Sequence, residues 1–157
     1  MFFFFLSSGL FLGWSLGAND AANIFGSAVG SKMIKFSVAV AVASIFVILG
    51  AVLQGSGASL TLGKLGSVDA IGGAFTVALC AGFTVFWMTR LKLPVSTSPA
   101  IIGAIIGWNF YSGNATDMTV LGKIVSTWIA GPILGAIFAI LLYKLLKFFL
   151  AKSKIHL

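Results

Sequence analysis

Acidic residues are nearly missing from this 157-residue chain: three Asp+Glu stand against ten Lys+Arg, and charged residues of both signs make up only 8%. An ordinary soluble domain carries roughly 25% charged residues, so that class is excluded. A single cysteine, Cys80, leaves no disulfide framework within the chain. Prolines number three, and all of them fall where apolar runs are interrupted. The shortage of acids gives a net charge of +7. That balance can signal nucleic acid, but the apolar runs leave no solvated surface for a basic patch. What is present is 59% hydrophobic residues, a mean hydropathy of +1.11, and 19 glycines, more than turns alone require. The chain reads as an all-α integral membrane protein, one membrane domain over residues 1–157.

Uncharged runs of about 20 residues mark candidate crossings. Met1 to Asn19 is the first, followed after Asp20 by a weakly apolar stretch. Phe36 to Gly63, Ala70 to Thr89, Leu93 to Thr116 and Ile124 to Tyr143 follow. The fourth opens with Pro94 and contains Pro99, and the last is interrupted by Gly131-Pro132. About five transmembrane segments are expected, the first and fourth irregular. The amino terminus has the apolarity of a signal peptide but no positive n-region, and no soluble domain follows, so it is read as a crossing.

Lysine and arginine set the orientation. With five crossings, Lys32, Lys35, Arg90, Lys92, Lys144, Lys147, Lys152 and Lys154 collect on one side, and Lys64 and Lys123 on the other. The bias predicts one fixed orientation in the cell membrane, amino terminus outside and carboxyl terminus cytoplasmic. If the fourth segment alone dipped in and returned, the tail lysines would fall outside unless a further crossing compensated. Four G-x-x-x-G spacings, Gly13/Gly17, Gly26/Gly30, Gly103/Gly107 and Gly131/Gly135, predict close helix packing, because small residues let backbones approach in lipid.

Two polar clusters stand out against this background. Asp20 lies in Gly17-Ala18-Asn19-Asp20-Ala21-Ala22-Asn23, and an aspartate at the centre of a bilayer costs about 2.5–3.5 kcal/mol on the lenient insertion scale. Asn19 and Asn23, four apart, lie on one helical face, and Gly17 and Gly26 permit the helix to unwind between them. The second cluster is Leu93-Pro94-Val95-Ser96-Thr97-Ser98-Pro99, running into Ala100-Ile101-Ile102-Gly103. Three hydroxyls between two prolines, before an apolar glycine-spaced run, read as a helix amino terminus. Its unpaired N–H groups, dipole and hydroxyls form an anion site. Simple N-capping needs only one of those hydroxyls. Broken helices facing one another near the midplane are the architecture of secondary transporters.

These residues carry a resemblance. Residues 17–30, GANDAANIFGSAVG, and the stretch LPVSTS with the following IIGAIIG resemble the two signatures of the inorganic phosphate transporter (PiT) family. The resemblance implies broken or re-entrant helices and two related halves in inverted orientation, each with its own Asn-Asp motif. This chain holds one copy and resembles the amino-terminal half, one half of an inverted-repeat transporter. It departs from the family at Pro99, where many relatives carry His or Gln.

The implied function is cation-coupled symport of inorganic phosphate. Ser96, Thr97 and Ser98 are expected to hold phosphate oxygens, while Asn19, Asp20 and Asn23 bind the coupling Na⁺ or proton. A bound Na⁺ between carboxylate and phosphate, or protonation of Asp20, removes their repulsion and makes the two bindings interdependent. Asp20 can also accept a hydrogen bond from a protonated phosphate oxygen, which sulfate does not offer. No further cofactor is expected; the partners are phosphate, the bilayer, and a second half-transporter chain or a second copy. A sulfate or other oxyanion permease, or a non-transporting structural or channel subunit, are the rival readings. An enzyme is disfavoured, since neither a metal-ligand cluster nor a nucleophile–base pair is evident. Lys64 follows Gly63, but Ala58 and Leu65 break the P-loop pattern. Asp69 is expected to cap the third segment, Asp117 to be solvated, and His156 to play no ligand role. Asn114-Ala115-Thr116 is a weak glycosylation sequon.

Overall fold

The computed structural model describes residues 2–66, 68 and 70–152. The expected roles of Asp69 and His156 lie outside them. The described residues form α1 (Phe2–Gly30), α2 (Phe36–Leu65), α3 (Ile71–Arg90), α4 (Thr97–Ser112) and α5 (Met118–Lys152), with no strand among them. The all-α membrane architecture is as the sequence implies. Among the described residues, three helices, α2, α3 and α5, are long and apolar enough to cross a membrane.

The chain divides into two compact units, 1–117 and 118–157. The second holds α5, 35 residues with Pro132 inside. In the first, α1 and α3 pack as a parallel pair with a constant offset. Phe5 meets Phe75, with ring centroids 5.8 Å apart. A Cβ on Gly82 would lie 3.2 Å from Leu12 Cα, and Asn19 bonds Thr89. Helix α4 runs the other way. Its first residue, Thr97, meets Asp20, while near its end the Trp108 ring covers Gly73, where an added Cβ would lie 2.7 Å from the indole.

Helices α3 and α4 thus form an antiparallel hairpin. Its tip lies level with Asp20, ten residues before α1 ends at Gly30, or about 15 Å along the axis. At 16 residues, α4 is about 24 Å long, less than the ~30 Å of a hydrocarbon core. The irregularity expected of the fourth segment is therefore found at its start: residues 93–96 are non-helical, and the helix begins at Thr97.

Two expectations need correction. Helix α1 does not unwind between Gly17 and Gly26, and α5 continues through Gly131-Pro132. A helical glycine costs about 1 kcal/mol relative to alanine and a proline about 3, whereas each unsatisfied backbone group in hydrocarbon costs several. Continuity is the cheaper state. Nor do the three G-x-x-x-G pairs of the first unit, Gly13/Gly17, Gly26/Gly30 and Gly103/Gly107, form seams among its described residues, since a Cβ at any of these six glycines would meet nothing within 4 Å. The close approaches are at Gly73 and Gly82 instead. The α1 seam facing α3 carries buried Ser8, Ser15 and Asn19, and Gly13 and Gly17 are exposed beside it.

Helices α1 and α3 end alike. Lys32 (φ 62°) and Lys92 (φ 59°) adopt the left-handed conformation. Met33 N–H donates to Ala28 C=O at 2.9 Å and Leu93 N–H to Met88 C=O at 3.0 Å, the Schellman arrangement that closes a helix. A lysine there also complements the negative end of the dipole. At the opposite end of the hairpin, buried Asn109 donates to Thr116 Oγ1 at 2.9 Å, and Asp117 N–H donates to Leu65 C=O at 3.2 Å. The threonine of the sequon therefore has a structural task, holding the end of α4 to the segment that follows it.

Candidate functional site

The hairpin tip brings the two polar clusters together. Thr97, the first residue of α4 and 5% exposed, donates its hydroxyl to Asp20 Oδ2 at 3.4 Å across 77 positions of sequence. Asp20 itself is half-buried, and among the described residues no basic side chain pairs with it. Ser96 occupies the N-cap position of α4 without a side-chain capping bond. Simple capping therefore does not account for its hydroxyl. Ser96 and Ser98 are both exposed at this end. Pro99 falls in the first turn, where its missing N–H disturbs no helical bond. The remaining backbone donors there are the N–H groups of Ser96, Thr97 and Ser98.

A second polar string runs beside the first. Asn23 Nδ2 donates to Asn19 Oδ1 at 3.2 Å, Asn19 Nδ2 to Thr89 Oγ1 at 2.9 Å, and Thr89 Oγ1 to Val85 C=O at 2.7 Å. Asn19 is buried and Asn23 exposed, so the string leads from the α1–α3 seam to the surface one turn beyond Asp20. All six expected residues therefore lie at one end of the hairpin. The structure adds Thr89, which the sequence reading missed because its partner is 70 positions away. It adds Arg90 as well. The guanidinium lies 5.2 Å from the Phe86 ring centroid, in a cleft of about 230 Å³ lined by Trp14, Ser15, Ala18, Phe86 and Thr89. The positions of Arg90 and Lys92 after an apolar run were the available signal for a helix end at this level.

Chemically, the tip offers hydroxyls and N–H donors on α4 and, on α1, one carboxylate with an outward amide. That set matches an oxyanion on one side and a hard cation on the other.

A short helix that opens on a non-helical stretch, set against a carboxylate of a neighbouring helix, resembles the broken-helix sites of secondary transporters. The chain belongs to the phosphate transporter family, whose model matches residues 16–157. It is 34% identical over 157 residues to a protein of Pyrococcus furiosus named as a candidate phosphate permease, covering 93% of this chain and 38% of that protein. It is 31% identical over 153 residues to a chloroplastic inorganic phosphate transporter of Arabidopsis thaliana, covering 90% of this chain and 26% of that one. A third relative, from Chlamydia pneumoniae and also named as a candidate phosphate permease, is 32% identical over 92% of this chain and 36% of its own length. The chain thus spans less than two fifths of these relatives. No solved structure matches it.

Proposed function

We propose that this chain is half of a cation-coupled symporter of inorganic phosphate. The observation that carries the reading is the meeting of Thr97 with Asp20 at the hairpin tip, which sets an anion-binding helix start against a carboxylate. Phosphate is held by Ser96, Thr97, Ser98 and the N–H groups of the first turn of α4. The coupling Na⁺ or proton sits at Asp20 with the amide oxygens of Asn19 and Asn23. Because the carboxylate repels the anion until a cation or proton neutralises it, the two cargoes bind together or hardly at all. A monoprotonated phosphate can also donate to Asp20, and fully ionised sulfate cannot.

An inverted second half, supplied by another chain, by another copy or by the remainder of a longer protein, completes the pathway. Its absence from this sequence is consistent with the fraction of the relatives that the chain spans. The lysine bias supports the cytoplasmic membrane with the amino terminus outside. The test is radiolabelled phosphate uptake into proteoliposomes under imposed Na⁺ or pH gradients, with Asp20→Asn and competing sulfate alongside. Gradient-driven uptake lost in Asp20→Asn and insensitive to sulfate is the expected result. Competition by sulfate favours a general oxyanion permease, and absence of flux from folded chain favours a subunit that does not transport alone.

A further inference from the structure

We propose that Thr89 is a positioning residue that fixes which atom of Asn23 faces the cation, a role that rests on the coupling-cation reading of Asp20 above. The argument is one of donor and acceptor accounting. Thr89 has a single hydroxyl proton, and it is committed to Val85 C=O at 2.7 Å. Only lone pairs remain on Thr89 Oγ1. Its neighbour Asn19 can therefore meet it only with the amide nitrogen, as observed at 2.9 Å. With Nδ2 turned to α3, Asn19 presents Oδ1 toward Asn23, four residues on. An oxygen there demands a donor, so Asn23 supplies Nδ2 at 3.2 Å. Both amide flips, ordinarily ambiguous, are thus decided by one proton on a neighbouring helix.

The consequence lies at the end of the string. With its nitrogen turned inward, Asn23 leaves Oδ1 as its outward atom, and no described residue donates to it. It stands three residues beyond Asp20, within one helical turn. Carboxylate and amide oxygens are what a hard cation takes as ligands. If Asn19 were turned over, Asn23 would turn with it and present an NH₂ group, a donor that repels a cation. Thr89 touches no cargo; it acts through two amides. Burial favours this fixity, since Asn19 is 5% exposed and a buried amide left with the wrong partner costs about 1–3 kcal/mol.

The test is ²²Na⁺ binding to the purified full chain in lipid nanodiscs, comparing wild type with Asp20→Asn, Thr89→Val and Thr89→Ser, each checked for an unchanged melting temperature. Valine keeps the shape and removes the lone pairs; serine keeps the hydroxyl and its bond to the helix carbonyl. The expected pattern is saturable binding in wild type, none in Asp20→Asn, at least fivefold weaker binding in Thr89→Val, and recovery to within twofold in Thr89→Ser. Loss in Asp20→Asn with wild-type binding in Thr89→Val overturns the role of Thr89 and leaves the site reading intact. Equal weakening in the valine and serine variants overturns it too, because the hydroxyl is then not what matters. Wild-type protein without saturable Na⁺ binding overturns both the Na⁺ reading and this inference.

Discussion

Among the described residues, the Asp20 carboxylate receives one hydrogen bond, a long one from Thr97 at 3.4 Å. It therefore has capacity left for a cation or a protonated phosphate oxygen. Bonds to charged groups contribute about 1.5–3 kcal/mol, and 1.4 kcal/mol is a factor of ten. Thr97→Val, which keeps the shape and removes the donor, is expected to raise the KM for phosphate uptake about tenfold, with Thr97→Ser near wild type. Uptake kinetics in proteoliposomes check this. The polar residues of both clusters were legible in sequence because a carboxylate or three adjacent hydroxyls is conspicuous among apolar residues. Thr89 was not. It sits in an ordinary span, and a threonine that bonds its own helix backbone, as Thr61, Thr76 and Thr84 also do, gives no sign of a second partner.

Among the helices, the parallel contact of α1 with α3 depends on Gly82, where a Cβ would lie 2.9 Å from the Phe11 ring and 3.2 Å from Leu12 Cα. The ring can move; the backbone atom cannot without parting the helices. Gly82→Ala is expected to destabilise the detergent-solubilised chain by about 1–3 kcal/mol. Gly13→Ala, with open space around it, should be neutral or slightly stabilising. Thermal unfolding followed by circular dichroism distinguishes them. Helix positions were readable from uncharged runs: α2 and α3 lie within a few residues of the expected spans. The G-x-x-x-G spacings were equally visible and misdirected the packing, because spacing identifies a smooth strip on one helix but not the partner against it. Gly73 and Gly82 lie nine apart, off that four-residue spacing. The rings of Trp108 and Phe11 select them.

For the molecule as a whole, the hairpin removes a difficulty that the sequence raised. A dip by the fourth segment alone would reverse the side of the tail. Helices α3 and α4 travel together, so the chain returns to the Leu65 end whether the pair crosses fully or stops level with Asp20. Parity is preserved, and the lysine bias keeps its meaning. A reporter fused after Leu157 is expected to be active only on the cytoplasmic side, with protease protection in inverted vesicles as the contrary outcome. The offset of 70 residues between Asn19 and Thr89 also sets a delay during synthesis. At roughly 5–20 residues per second, α1 waits some 4–14 s before α3 exists to receive it. For that interval Asn19 and Asp20 have neither Thr89 nor Thr97 beside them. The insertion machinery, water or the lipid headgroups must shelter the pair meanwhile, so the most vulnerable moment for this polar centre comes before the fold is made.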